Sequence, residues 1–101
     1  MARFDVRRLR GARNRVALVV EIQSDYMREI PTVLVAPLVN VKHLEPYDVI
    51  NPIVDVGGER MAIRLEQLAG APATALGDFV ASVLHAEDKI SIALNRLLFY
   101  V

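Results

Sequence analysis

The chain has 101 residues, no cysteine and a formal net charge of zero, with 53% hydrophobic and 24% charged residues. This length fits one domain, so residues 1–101 are treated as a single unit. The absence of cysteine excludes a disulfide framework, a thiolate metal site and a thiol nucleophile. The longest apolar runs are too short to cross a bilayer and the N-terminus lacks a secretory signal pattern, so a soluble cytoplasmic protein is expected. The apolar share is high for a short chain, which predicts that a second copy covers part of it.

The first elements predicted are two strands joined as a hairpin. Phe4–Leu9 mixes polar and apolar residues, a polar segment over Arg10–Asn14 contains a glycine, and Val16–Gln23 follows. Both faces of this second strand are apolar at first, whereas Glu21 and Gln23 occupy one face further along. We therefore expect its first half to be buried on both sides and its second half to reach solvent.

The middle of the chain is rich in β-forming residues but carries turn signals. Ser24–Glu29 is polar and is expected to be a loop or a frayed strand end. Thr32–Val41 is predicted to be strand, yet Pro37 implies an edge, a bulge or a break between two short strands, because proline cannot donate a ladder hydrogen bond. His43–Pro52 holds two prolines and is predicted to be an irregular connection.

A second hairpin is predicted where two glycines separate two short apolar runs. Ile53–Val56 and Arg60–Arg64 flank Gly57-Gly58, and glycine accepts the positive φ angles that tight hairpin turns require. Beyond it, Leu65–Gly70 is predicted to be a turn or a single helical turn, and Pro72–Leu76 a short strand.

The hydrophobic period changes from two to about 3.6 from Ala86 onward. Apolar residues then recur on one helix face at Ile90, Ala93, Leu94, Leu97, Leu98 and Val101. Phe79 and Val83 continue the spacing backwards, so the helix begins either near Asp78 or near His85. The predicted fold is mainly β, a strongly twisted antiparallel sheet closed by one C-terminal α-helix.

Charge is distributed unevenly along the chain. Residues 1–15 contain six arginines and one aspartate, whereas the remainder carries six basic and eleven acidic residues. Two explanations fit this pattern equally well. One is a solvated edge hairpin whose charges protect it from aggregation. The other is a role in binding an acidic peptide or a phosphate backbone.

Residue patterns that carry catalysis are absent from the sequence. His43 and His85 have no partners at ligand spacing, and no phosphate-binding or nucleophile motif occurs. We therefore predict no catalytic residue, no metal site and no cofactor. The sequence ends on Phe99-Tyr100-Val101, which either completes the core or a dimer seam or presents aromatic side chains for recognition.

Eight pieces of the sequence match a known family in order and spacing. They are Arg3–Val6, Val20–Asp25, Pro37-Leu38, Leu44, Pro46, Pro52–Gly57, His85–Ile90 and Ala93–Asn95. Together they resemble the CcdB toxins of bacterial type II toxin–antitoxin modules over essentially the whole chain. The resemblance implies a five-stranded antiparallel sheet with a smaller β-ribbon and a long C-terminal helix, similar to an SH3-like barrel, in a symmetric homodimer.

The same resemblance implies a function. Family members are not enzymes: they poison DNA gyrase by inserting the helix tips of the dimer into the GyrA dimer of gyrase, and a CcdA-like antitoxin neutralises them and helps to repress the operon. Carried over by position, the gyrase-binding residues are Ser24, Tyr26, Met27, Asn95, Phe99, Tyr100 and Val101. The residues predicted to contact the acidic, disordered segment of the antitoxin are Arg7, Arg8, Arg10 and Arg13.

The helix tip departs from the family, which has tryptophan, glycine and isoleucine where this chain has Phe99-Tyr100-Val101. Tyr26-Met27 likewise stands in place of two isoleucines. One alternative is an mRNA endonuclease of a related toxin fold, which the basic Arg7–Arg15 hairpin supports. Another is a non-toxic member that serves only as antitoxin partner or co-repressor. Direct contact with nucleic acid is expected only in the antitoxin complex, and none with a membrane.

Overall fold

The computed structural model describes residues 2–11, 16–47 and 49–99. In these ranges the strands are β1 (Asp5–Arg10), β2 (Val16–Glu21), β3 (Thr32–Asn40), β4 (Ile53–Val56), β5 (Glu59–Ile63), β6 (Ala69–Pro72) and β7 (Leu76–Ser82), and the helix is α1 (Glu87–Leu98). Short 3₁₀ turns lie at Asp25–Met27, Val41–His43, Leu65–Gln67, Ala73–Ala75 and Leu84–Ala86. Within the described ranges, no helix has the length and the apolar character that a membrane span requires.

Strand β3 is shared by both parts of a curled antiparallel sheet. The larger part has the order β6-β3-β2-β1-β7, and the smaller ribbon has the order β4-β5-β3. Thr32–Val35 pairs with β6 and Leu38–Asn40 pairs with β5, so Pro37 falls in the interval between the two partners, where no backbone N–H is needed. The break predicted at Pro37 is therefore a change of partner within one unbroken strand.

The main core lies between one face of the sheet, the ribbon and α1. Its fully buried members include Phe4, Val6 and Val20 from the sheet region, Ile63 at the end of β5, Leu65 after it, and Ile90 and Ala93 from the helix. Because side chains alternate along a strand, a second cluster forms on the other sheet face. It contains Val19, Val33, Val35 and Ala71, and Ala73 and Leu76 pack against it where the chain passes from β6 to β7.

The β4–β5 hairpin has the predicted turn. Gly57 and Gly58 have φ angles of 60° and 84°, and Val56 pairs directly with Glu59. A two-residue connection with positive φ at both positions is the turn whose twist matches that of the flanking strands. The prediction of a glycine-based hairpin is confirmed.

The predicted order of elements before the helix is wrong in part. Pro72–Leu76 is not a strand, because a 3₁₀ turn occupies Ala73–Ala75, and the strand lies at Leu76–Ser82, where it pairs with β1. The helix therefore does not extend back to Asp78 but begins at Glu87, beside His85. Phe79 matches the helical spacing only by coincidence.

The predicted burial of β2 is also wrong. Ala17 is exposed and Leu18 half-buried, whereas Val19–Ile22 is almost completely buried, with Glu21 only 4% exposed. Pairing with Arg7 from the neighbouring strand explains how this carboxylate can lie inside the protein.

Candidate functional site

The C-terminal turn of α1 leaves the core. Ile90 and Ala93 are fully buried and Leu97 is half-buried against the core, whereas Leu98 is 55% and Phe99 71% exposed. The last residue of α1 and the residue that follows it therefore expose apolar side chains that the rest of the described chain does not cover. An apolar surface of this kind is typical of association with another protein.

Asn95 and Phe99 mark the end of the helix. The backbone N–H of Phe99 donates to the carbonyl of Asn95 at 2.9 Å, and Phe99 itself has a non-helical ψ of −12° with φ at −127°. Asn95 is exposed on the last turn. Tyr100 and Val101, which complete the predicted tip, lie outside the described residues.

Ser24, Tyr26 and Met27 lie in the connection between β2 and β3. The Ser24 hydroxyl oxygen accepts a hydrogen bond from the backbone N–H of Tyr26 at 3.2 Å, which starts the 3₁₀ turn. Tyr26 is 95% exposed and Met27 48% exposed. The turn therefore presents an aromatic ring to solvent on an ordered backbone.

The Gln23 side chain holds this connection in place. Its amide nitrogen donates to the carbonyls of Met27 at 2.8 Å and Thr32 at 3.2 Å, and its amide oxygen accepts from the backbone N–H of Leu34 at 3.0 Å. The side chain thus replaces backbone pairing where β2 and β3 separate.

Arg3 ties the same connection to the beginning of α1. Its backbone N–H donates to Asp25 Oδ1 at 2.9 Å, and its Nη1 lies 3.6 Å from Glu87 Oε1. Phe99 lies twelve residues after Glu87, roughly 18 Å along the helix axis. The two groups of predicted gyrase-binding residues are therefore attached to opposite ends of α1 in one chain.

The four predicted antitoxin-binding arginines lie in different environments. Arg8 and Arg10 are exposed on β1, whereas the side chain of Arg7 is only 15% exposed. Arg13 lies outside the described residues.

Arg7 is held by partners from three strands. Its Nε donates to Glu21 Oε2 at 3.0 Å on β2, its Nη1 donates to the Gly77 carbonyl at 3.1 Å on β7, and its Nη2 lies 3.6 Å from Asp5 Oδ2 on β1 itself. The Phe79 ring centroid is 6.0 Å from the guanidinium carbon. This arrangement makes Arg7 a structural link across the sheet.

Burial sets the protonation chemistry of this cluster. Desolvation raises the pKa of Glu21 above its ordinary value of 4.5, although the hydrogen bond and charge of Arg7 act in the opposite direction.

The pairing of Arg7 with Glu21 was not predicted from the sequence, but a signal for it was present. Arg7 pairs with Val19, which places Glu21 two residues further along the same face and within reach of a long side chain.

Asn51 is a second buried polar residue that the sequence reasoning missed. Its Oδ1 accepts from the backbone N–H of Tyr47 at 2.8 Å, and its Nδ2 donates to the Ile63 carbonyl at 3.2 Å and to Glu66 Oε1 at 2.7 Å. Burial alone would raise the pKa of Glu66, but hydrogen bonds from Asn51, from its own backbone and from Arg64, together with the Arg64 charge, lower it. The network attaches the irregular connection before β4 to the end of β5.

The family model described as CcdB protein matches residues 3–99, nearly the whole chain. The chain belongs to the CcdB family. Solved structures that share its fold include the following two. One is an endoribonuclease in complex with its cognate antitoxin from Mycobacterial species, with a TM-score of 0.80 at 14% identity over 97% of this chain and 94% of that chain. The other is the Mycobacterium tuberculosis toxin MazF-mt6, with a TM-score of 0.77 at 13% identity over 91% of this chain and 93% of that chain.

Both the family prediction and the predicted fold class are confirmed. The CcdB-family fold seen here consists of the curled sheet, the β4–β5 ribbon and the C-terminal helix. The predicted binding residues lie in three places: the exposed end of α1, the Tyr26 turn and the basic strand β1. Within the described ranges, no group of acidic or histidine side chains is arranged to hold a metal ion.

Proposed function

We propose that this CcdB-family protein is the toxin of a toxin–antitoxin pair and that it poisons DNA gyrase by binding, without catalysis. The supporting observation is the exposed end of α1, where Leu98, its last residue, and Phe99, which follows it, present apolar side chains to solvent. Aromatic side chains in such positions are frequent anchors of protein interfaces, because they bury a large area with few rotatable bonds. The GyrA dimer of gyrase is the target that membership of the family suggests.

We propose that the toxin acts as a homodimer. Ile92, Leu98 and Phe99 expose apolar surface on α1, and a second copy would remove part of it from water. A two-fold dimer also presents two helix ends to a target that is itself a symmetric dimer. Because the Tyr26 turn is tied to the start of α1, Tyr26 and Phe99 of one protomer reach the target as two separate anchors.

We propose that an acidic antitoxin segment binds the basic strand β1. Arg8 and Arg10 are exposed there, and the connection to β2 adds Arg13 in sequence. Arg7 contributes by holding β1 in place, since its charge already faces Glu21 and Asp5. Association with the antitoxin is expected to slow as salt concentration rises, and a rate independent of salt would contradict this part of the proposal.

A DNA cleavage assay tests the gyrase proposal. Supercoiled plasmid is incubated with cognate gyrase, ATP and the protein, and linear DNA that is released only by protease and detergent is expected to accumulate. Removing residues 99–101 should abolish this product while the variant keeps its oligomeric state and thermal stability. Unchanged supercoiling at micromolar protein would contradict gyrase as the target, and unfolding of the truncated protein would assign the tip to the core.

A parallel assay with total RNA separates binding from catalysis. The proposal predicts intact RNA under conditions in which gyrase is trapped. Reproducible, metal-independent cuts would instead identify an endonuclease of the related fold. Intact RNA together with unaffected gyrase and retained antitoxin binding would identify a non-toxic partner or co-repressor.

A further inference from the structure

A cleft of about 590 Å³ opens between the end of β1 and the start of β7. Its walls include Arg8, Arg10, Thr74, Leu76, Gly77 and Asp78. A volume of this size lies within the range of roughly 300–1,000 Å³ found for small-molecule sites. The cleft is lined by none of the described helix-end residues, so it is not part of the proposed gyrase-binding surface.

A β-bulge shapes one wall of the cleft. Arg7 pairs with Phe79 and Leu9 pairs with Leu76, so two residues of β7 stand opposite the single residue Arg8 of β1. A bulge of this kind bends the strand and redirects side chains. Gly77, within the bulge, packs so closely that an added Cβ would lie 3.3 Å from the carbonyl oxygen of Arg8.

The buried pair of Arg7 and Glu21 holds this wall of the cleft in place. Arg7 donates to the carbonyl of Gly77 at 3.1 Å and is itself hydrogen-bonded to Glu21 at 3.0 Å. The backbone of the bulge is therefore anchored to β2 through two charged side chains. The cleft is a preorganised feature of the sheet.

The two arginines of the cleft have no side-chain partners among the described residues. Arg8 and Arg10 project from the same side of β1, and neither forms an ion pair or a side-chain hydrogen bond within those ranges. Arg3, Arg28 and Arg64, by contrast, each lie within 4.0 Å of a carboxylate. Two such guanidinium groups can bind one phosphate through several charge-assisted hydrogen bonds.

Asp78 and Thr74 narrow the class of ligand. An ionised carboxylate only accepts hydrogen bonds, so Asp78 favours a ligand that brings hydroxyl or N–H donors to its end of the cleft. A ligand with a phosphate at one end and hydroxyl or N–H donors at the other satisfies all four polar side chains. We infer that the cleft is a nucleotide-binding site, with Arg8 and Arg10 on the phosphate and Thr74 and Asp78 on the sugar or base.

Titration calorimetry on the full chain tests this site without gyrase or antitoxin. The probes are adenosine, inorganic phosphate, adenosine monophosphate, a four-nucleotide RNA without terminal phosphate, and tetraglutamate. Saturable binding of the monophosphate, about tenfold tighter than that of inorganic phosphate, is expected because both ends of the ligand make contacts. Equal binding of the RNA would assign the site to a strand, and binding of the monophosphate alone would assign it to a free nucleotide.

The variants supply the controls. Arg8→Ala and Arg10→Ala should each weaken binding about tenfold, whereas Arg60→Ala, an exposed arginine on β5, should leave it unchanged. The lysine replacements at positions 8 and 10 keep the charge and should restore part of the affinity, which excludes misfolding as the cause. No saturable binding, equal losses in all three alanine variants, or tighter binding of tetraglutamate would overturn the inference. Because gyrase is absent, its failure leaves the proposed toxin function untouched.

Discussion

Replacing Arg7 by alanine should destabilise the protein more than any exposed arginine replacement. The guanidinium is the cation for two carboxylates, with Glu21 at 3.0 Å and Asp5 at 3.6 Å, and their side chains are only 6% and 12% exposed. Alanine at position 7 also removes the hydrogen bond to the Gly77 carbonyl on β7. The variant therefore leaves two buried carboxylates without their cation and removes one of the contacts that hold β7 against β1.

The structure sets the size of this effect. Removing one partner of a buried ion pair costs about 3–5 kcal/mol, because the remaining charge stays desolvated. For a domain of this length each kcal/mol lowers the melting temperature by about 4–8 °C, so a decrease on the order of 20 °C is expected. Glu21→Gln keeps an acceptor for Arg7 and leaves no carboxylate without its cation at position 21, so it should cost less than Arg7→Ala. The double replacement Arg7→Met with Glu21→Met should cost less than the sum of the two single methionine variants, because neither charge is then left alone.

Urea unfolding followed by circular dichroism measures these differences at pH 7 and one fixed protein concentration, which keeps any dimer equilibrium constant. Exposed Arg60→Ala serves as the control. A loss smaller than about 1 kcal/mol for Arg7→Ala would refute the role of Arg7 as a structural link. Strictly additive costs in the double variant would refute the pairing with Glu21.

Three further predictions concern packing, the turn and pH. Ile90→Ala empties a fully buried site and should lower the free energy of unfolding by about 2–5 kcal/mol in urea titrations, whereas Leu84→Ala, at a 56% exposed position, should change it by less than about 0.5 kcal/mol. Gly58→Ala should cost about 1–2 kcal/mol in the same titrations, because φ is 84° there, and an unchanged midpoint would contradict this. The pKa of Glu66 is lower in the folded protein than its ordinary value of 4.5, so this residue stabilises the fold at pH values above 4.5. That stability is lost as the pH falls through the folded-state pKa, and Glu66→Gln should flatten the profile of stability against pH in this acidic range. The raised pKa of Glu21 acts with the opposite sign: its contribution is fully present below 4.5 and is lost as pH rises through the folded-state pKa, so Glu21→Gln should flatten the profile on that side.

Elements determined by neighbouring residues were predicted well from the sequence. The β4–β5 hairpin follows from two glycines that accept positive φ angles. Helix α1 follows from apolar residues at helical spacing, of which Ile90 and Ala93 lie in the core. Each of these signals is local. The sequence left open whether Phe99 completes the core or a dimer seam or serves recognition, and the structure places its side chain at the surface and outside the core.

Features that depend on distant partners were not predictable in the same way. Strand β7 exists because it pairs with β1, about seventy residues earlier, while its own sequence also fits a helical spacing. Glu21 was expected in solvent because nothing beside it in the sequence indicates that Arg7 crosses from the neighbouring strand. The attachment of the Tyr26 turn to the start of α1 likewise depends on Arg3, which lies far from both in sequence.

The proposed role of the helix end is tested most directly by gyrase trapping with two matched aromatic variants. Phe99 is 71% exposed at the end of α1, and Tyr47 is 62% exposed in the connection before β4. With cognate gyrase, ATP and supercoiled plasmid, the unmodified protein and Tyr47→Ala should yield protein-linked linear DNA at equal concentrations. Phe99→Ala should need at least about tenfold more protein for the same yield, the loss expected for an interface anchor. Equal trapping by Phe99→Ala and Tyr47→Ala, or no trapping by the unmodified protein, would contradict the proposal.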